Sequence, residues 1–313
     1  MPPKRLWKQK SRPEFLWKIF APLPRRGFLF ARFHAILKPN TAILVEEVPT
    51  LLTIKQYVRA QSLDEAYTLC QKRANVVLGG MLWLKTQNRT VDTAIDLSDL
   101  GLDTIEETPD EFRIGAMVTL RQLEQNPDLA AYTRGAMAES IRHIVGVQFR
   151  NLATVGGSIY GRFGFSDVLT LFLALDAAVE LHHGGRVPLA EYAACPYERD
   201  ILTHIVVPKQ PGTVAYLAQR NVSTDFPVLT CAVAVRQDGV RCAIGARPMK
   251  AQLYQGDPAL LAGGITPETA EAFAGSVAAE AAFGSNLRAG ADYRRAICKV
   301  LVRRALLACK EDA

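Results

Sequence analysis

The sequence predicts a chain of two or three domains, mixing helices and strands, behind a basic tail, and three observations predict it. Its 313 residues are 49% hydrophobic with a mean hydropathy of +0.05, enough apolar surface for more than one core without a membrane-spanning run. Short strand patterns closed by glycines alternate with helix-start signatures from residue 52 onward. Charge is unevenly spread: ten of the 37 Lys/Arg but only three of the 31 Asp/Glu lie in residues 1–51, leaving 27 against 28 in the rest. The nearly neutral folded part lacks the electrostatic support expected of nucleic-acid binding.

Residues 1–51 are rich in Pro and basic side chains and keep no sustained apolar period, so a disordered extension is expected. "PRRGFLF" (Pro24 to Phe30) has the look of a twin-arginine signal, but Arg32, His34 and Lys38 interrupt the apolar segment and no small-residue cleavage site follows. No run approaches the roughly 18 apolar residues a membrane span needs. The six cysteines form no C-x-x-C pair and lack local metal-ligand spacing, which suggests a reducing, cytoplasmic setting.

Ordered structure should begin near Leu52. Ser62 and Glu65 have capping-box spacing ahead of an amphipathic helix. "NVVLGG" reads as a short strand ended by Gly79-Gly80, where backbone amides could approach a ligand or simply make a tight turn. "TVDTAIDLSDLGLDTI" reads as strand and loop, and "EFRIGAM" as a strand before a helix capped by Thr119 and Gln122. A further helix is expected over about 129–144, ending at Gly146.

The chain then enters "NLATVGGSIYGRFGFSD" (Asn151 to Asp167). Thr154, Gly156, Gly157 and Ser158 offer amides and two hydroxyls on what reads as a loop, able to hold a pyrophosphate through backbone dipoles. Neither G-x-x-x-x-G-K-[ST] nor a strand-linked G-x-G-x-x-G occurs there. Two glycine loops, near 79 and near 156, suggest one extended dinucleotide gripped from two sides; two unrelated turns are the alternative. Asp167 reads equally as a helix N-cap. His182-His183 before Gly184-Gly185 reads as a hairpin end rather than a metal pair. Arg150 could face a ligand or solvent.

In the C-terminal part, "TCAVAV", "RQDGVR" and "CAIGA" read as a hairpin turning at Asp238-Gly239, with Cys242 opposite Val235. Four residues of strand rise, about 13 Å, would then separate the sulfurs of Cys231 and Cys242 and preclude a disulfide. The closing helix carries Ile297, Val300 and Leu301 on an apolar face. Arg295, Lys299 and Arg303 form a basic stripe that could meet an acidic partner or solvent.

The stretch Gln148 to Leu181 resembles the second FAD-pyrophosphate segment of the flavoprotein subunits of molybdenum hydroxylases. That family includes the medium subunit of carbon monoxide dehydrogenase and the FAD subunit or domain of xanthine dehydrogenase. "VVLGGMLWLK", "RNVSTDFPVLTCAVAV" and "GSNLRAGADYRRAICKVLVRRAL" agree with its first FAD loop, domain junction and closing helices, in that order. The resemblance implies a two-lobed FAD-binding domain of the vanillyl-alcohol-oxidase type over residues 52–210, with lobes of about 52–105 and 106–210. A small α+β C-terminal domain of the CO dehydrogenase flavoprotein type would occupy 211–313.

Carried over residue by residue, the resemblance places Leu78, Gly79, Gly80, Met81, Leu82 and Trp83 on the first loop, where relatives often have Thr or His in place of Met81. Thr154, Gly157, Ser158, Tyr160 and Gly161 match the second loop, and Asp167 the carboxylate that orients the cofactor. Ile144 and Thr203 match positions that line the flavin in some relatives. Trp83 would cover the flavin or belong to the core. At Leu217 the xanthine dehydrogenase pattern has Lys, so that cation's role does not transfer.

The same resemblance implies an FAD-dependent electron-transfer subunit. Molybdopterin and [2Fe–2S] clusters would lie on partner subunits, NAD+ would be the acceptor, and a purine the first-choice substrate, with aldehyde, nicotinate and other N-heterocycles as alternatives. No catalytic acid, base, nucleophile or metal ligand is expected in this chain. A self-contained FAD oxidoreductase and an FAD-free assembly subunit are the competing readings.

Overall fold

The computed structural model describes residues 52–311. The expected disordered extension and its twin-arginine-like segment lie outside the described residues. No helix among the described residues is long and apolar enough to cross a membrane.

The chain begins with a small parallel sheet. β1 (Thr53–Arg59) leads into α1 (Leu63–Cys70), then β2 (Val76–Val77) and β3 (Thr90–Asp96), and β3 lies between β1 and β2. Ser62 caps α1 by accepting from the Glu65 amide at 3.1 Å, but the Glu65 carboxylate returns to the Gln61 amide rather than to that of Ser62. The half-box still satisfies one more amide donor next to the helix start. The lobe's core is small: Ala60, Ala66, Cys70, Ile95, Leu97 and Leu102, completed by Ile201 from far along the chain.

A five-stranded antiparallel sheet follows. Its strands are β4 (Ile105–Glu107), β5 (Glu111–Gly115), β6 (Ala178–Leu181), β7 (Gly185–Pro188) and β8 (Leu202–Pro208), in the order β4-β5-β8-β6-β7. Between β5 and β6 run six helices: α2 (Leu120–Gln125), α3 (Pro127–Tyr132), α4 (Ala136–Ile141), α5 (Val147–Arg150), α6 (Val155–Gly161) and α7 (Asp167–Ala174). The expected Thr119/Gln122 capping box is present at α2. The single helix expected over 129–144 is instead α3 and α4. Arg134 (φ +49°) and Gly135 (φ +82°) turn left-handed in succession, and the Gly135 amide closes back on the Ala130 carbonyl at 2.8 Å, which ends a right-handed helix. α8 (Leu189–Ala194) follows β7.

β9 (Gly212–Gln219), β10 (Leu229–Arg236), β11 (Gly239–Gly245) and β12 (Gln252–Tyr254) form a second antiparallel sheet, covered by α9 (Pro267–Glu280) and α10 (Ala291–Glu311). The near-continuous apolar run of β10 is explained by burial on both faces. Leu229, Cys231 and Val233 join the core under α9 and α10, while Ala232 and Ala234 join Val214, Tyr216 and the side chains of α7 in the main core. Leu217 points to the helix side.

Two readings of this region are corrected. The β10–β11 turn uses Gln237 and Asp238, with Gly239 (φ +133°) as the first strand residue opposite Arg236, so the register moves by two and Cys242 opposes Val233. Cys231 and Cys242 still share a face but are diagonal neighbours, in contact rather than about 13 Å apart: a hydrogen bond with Cys242, together with burial, pushes the Cys231 thiol up. All six cysteines are free thiols; diagonal Cα atoms at about 7–8 Å exceed normal disulfide reach. On α10 the buried face is Arg294, Cys298, Leu301, Val302, Ala305, Leu306 and Cys309, whereas Val300, expected on the apolar face, is 37% exposed.

Candidate functional site

Two elements remote in sequence meet where the first glycine loop passes over α6. The Leu78 amide holds the end of β2 to the Ile95 carbonyl at 2.8 Å, and the backbone then leaves the sheet. A Cβ built on Gly80 would fall 1.9 Å from the Leu152 carbonyl oxygen, and one on Gly79 would fall 2.7 Å from Thr154 Oγ1 and 3.8 Å from the Gly157 Cα. Glycine is therefore what lets the loops touch. Met81 takes φ +58°, unusual for a residue with a side chain. Among the described residues, the amides of Gly79, Gly80, Met81, Leu82 and Trp83 donate to no group of the chain.

The second loop differs from its expected form, because Thr154 to Gly161 make a short helix instead. Thr154 is the N-cap of α6, its Oγ1 accepting from the Gly157 amide at 3.2 Å. The amides of Val155, Gly156 and Ser158 go to the carbonyls of Val118, Ala116 and Thr154, and the Ser158 hydroxyl donates to the Thr154 carbonyl at 3.0 Å. Gly156 is needed for packing, since a Cβ there would lie 2.6 Å from the Ala116 oxygen. Free backbone donors are thus concentrated on the first loop.

A cavity of about 630 Å³ opens along this junction, within the range of about 300–1,000 Å³ usual for small-molecule sites. One wall is aromatic. Trp83 stacks near Phe226 at 5.8 Å, Phe165 lies 4.3 Å from Phe226, and Phe163 stacks on Phe165 at 5.2 Å. Gly161 makes room for the Phe163 ring, which would otherwise meet a Cβ at 2.3 Å. Arg89, exposed at the rim, is the lining cation without a carboxylate partner among the described residues.

Asp167 lines the same cavity but is not the N-cap of α7. Ser166 fills that role, accepting from the Leu169 amide at 3.0 Å. The Asp167 carboxylate accepts from the Tyr216 hydroxyl and from Arg220, a buried ion pair whose side chains are 5% and 8% exposed. Burial pushes the Asp167 carboxyl up, with the Arg220 guanidinium and the Tyr216 hydroxyl opposing it. Arg220 also donates to the Asp225 carbonyl, and its Nε has no partner. Arg150 faces neither ligand nor solvent: it is buried, holding Glu124 at 2.9 Å and the Ile144 carbonyl at 3.1 Å.

The structure therefore brings together Gly79, Gly80, Met81, Leu82, Trp83, Ile144, Thr154, Gly157, Ser158, Tyr160, Gly161 and Asp167 around one cavity. It does not bring Leu78, buried behind the first loop, or Thr203, which sits on β8 and donates to the Glu180 carbonyl at 3.0 Å. Sequence reasoning missed Arg220, Phe163, Phe165, Phe226 and Arg89. The three phenylalanines stood inside quoted motifs, and two aromatics flanking a glycine in "RFGF" were the available signal.

Residues 52–210 match the family described as the FAD binding domain in molybdopterin dehydrogenase, and residues 215–309 match the CO dehydrogenase flavoprotein C-terminal domain. The chain is 31% identical over 265 residues to the uncharacterized protein YgfM of Escherichia coli (strain K12), covering 82% of this chain and 97% of that protein. It is 27% identical over 272 residues to the nicotine 6-hydroxylase medium subunit of Paenarthrobacter nicotinovorans, covering 80% and 96%. Among solved structures, the carbon monoxide dehydrogenase of Hydrogenophaga pseudoflava lacking the Mo-pyranopterin moiety superimposes with a TM-score of 0.75 at 26% identity, over 84% of this chain and 99% of that one.

Proposed function

Because this chain belongs to the family of FAD-binding subunits of molybdenum hydroxylases, we propose that it holds FAD in the glycine-walled cavity and works as the electron-transfer subunit of a larger, xanthine dehydrogenase-like enzyme. The observation that carries the reading is the meeting of two glycine segments, 79–80 and 156–157, under five consecutive unpaired amides. Such a row suits a pyrophosphate, whose charge several backbone dipoles can share.

In this reading Gly79 to Trp83 bind the pyrophosphate, with Arg89 adding charge at the rim. Thr154 offers a hydroxyl whose oxygen already accepts from Gly157. Asp167, held by Arg220 and Tyr216, orients the cofactor, and Trp83 with Phe165 and Phe226 keeps water from one side. When bound, FAD would supply the link between single-electron transfer from [2Fe–2S] clusters of a partner chain and two-electron hydride transfer to NAD+. Substrate hydroxylation would take place on a molybdopterin-binding partner, with a purine as the first candidate from the resemblance of "GRFGFSD" and "GGMLWLK". The six free thiols fit a reducing cytoplasm.

Two observations favour a second reading, an FAD-free assembly subunit. The aromatic rings already pack on one another in the cavity, and the first-turn amides of α6 are bonded within the chain. The test is the visible spectrum of the purified full chain, its FAD content after reconstitution, and anaerobic titration with NADH. About one FAD per chain, bleached by NADH, supports the electron-transfer reading; a folded chain that neither retains nor rebinds FAD replaces it with the second. Bound FAD that NADH leaves oxidised removes NAD+ as the acceptor.

A further inference from the structure

The turn between β6 and β7 carries His182 and His183. Adjacent residues of a strand point to opposite faces, yet here the turn brings both imidazoles to one side, 4.8 Å apart and edge to face. The turn is held from below: the Asp200 carboxylate accepts from the Gly184 amide at 2.7 Å and from the His183 amide at 3.2 Å. The Tyr67 ring of α1 stacks on His183 at 3.7 Å, fixing its plane. Asp64, also on α1, lies 2.8 Å from His182 Nε2, and one ligand atom from each of Asp64, His182 and His183 falls within 4.8 Å of the others.

From this convergence we propose that Asp64, His182 and His183 form a divalent transition-metal site, separate from the cavity and independent of the FAD reading. Two imidazoles and a carboxylate are a donor set for zinc, cobalt, nickel or copper rather than magnesium or calcium. Zinc–ligand bonds of about 2.0–2.2 Å in a tetrahedron put ligand atoms about 3.4 Å apart. The Asp64 side chain, 84% exposed, has the freedom to close the remaining distance, and water completes the coordination. The ion replaces the hydrogen bond between His182 and Asp64 and clamps α1 of the small parallel sheet to the β6–β7 hairpin of the five-stranded sheet.

The test uses the untagged full chain carrying Cys195→Ser, which removes the exposed thiol as a rival ligand. After chelation, zinc is titrated by calorimetry and counted by equilibrium dialysis. The expected result is one strong zinc, a rise in the melting temperature on binding, and no comparable binding of magnesium. His182→Ala, His183→Ala and Asp64→Asn should each weaken binding tenfold or more. Asp64→Asn, at an exposed position, keeps the test valid if a histidine variant misfolds. Cobalt in place of zinc should give visible absorption of four-coordinate type, lost in the same variants. No bound zinc, or zinc bound equally by all three variants, overturns the proposal.

Discussion

Substituting Gly80 with alanine tests whether close approach of the two loops makes the cofactor site. The added Cβ would lie 1.9 Å from the Leu152 carbonyl oxygen, 2.6 Å from its carbon and 3.1 Å from the Ala153 Cα, all backbone atoms. Ordinary contact begins at 3.4 Å, so the loop must retreat by about 1.5 Å from the residues that lead into α6. Overpacking of this kind costs about 1–3 kcal/mol. If that cost falls on the arrangement that binds FAD, affinity drops by about 5- to 150-fold. Quenching of flavin fluorescence on titrating FAD with protein measures it, and the melting temperature without FAD is recorded alongside. Gly275→Ala is the control, because its Cβ on α9 meets nothing within 4 Å. Gly80→Ala protein that folds and binds FAD as tightly as the parent would refute the reasoning.

The Gly275→Ala control itself should gain about 0.5–1 kcal/mol in urea unfolding, since glycine in a helix interior carries an entropic cost. Arg220→Ala should lose about 3–5 kcal/mol, because it strands the buried Asp167 carboxylate; an unchanged urea midpoint contradicts that pairing. Burial pushes the Cys298 thiol from its ordinary 9.0 up to about 12. The folded value exceeds the unfolded one, so this contribution to stability is complete below about pH 9 and lost between about 9 and 12, at ~1.4 kcal/mol per pH unit. Urea midpoints between pH 8 and 11 should fall less steeply in Cys298→Ala than in the parent, and equal slopes would count against the shift. Among the described cysteines, native-state alkylation read by mass spectrometry should reach Cys195 first, since the other five are buried.

Local signals were the legible ones. The Thr119/Gln122 box acts within four residues, and Gly79-Gly80 ended a strand as its composition suggested. The α+β class and the two-part arrangement of FAD-binding and flavoprotein C-terminal regions were implied by the family resemblance of the quoted motifs and agree with the family matches. What escaped depends on distant parts of the chain. The β10–β11 turn was misplaced because Gly239 serves as a strand residue opposite Arg236, while Arg236 also pairs with Gly212 on β9. Of the two readings of Asp167, the cap failed because Ser166 takes that role, and the partners that hold the carboxylate, Tyr216 and Arg220, come 49 and 53 residues later. His182-His183 do sit at the hairpin end the sequence suggested, but their contact with Asp64, 118 residues earlier, was not legible.

The small parallel sheet has a consequence for synthesis on the ribosome. Its core waits for Ile201, and the carbonyls of Cys70, Lys72 and Arg73 wait for the guanidinium of Arg199, up to 129 residues downstream. The last core residue of the first lobe before Ile201 is Leu102, so at about 5–20 residues per second the nascent lobe emerges roughly 5–20 s before the segment that finishes it. During that interval its strand edges are open to other nascent chains. The first lobe therefore completes its fold after the chain has passed through most of the second.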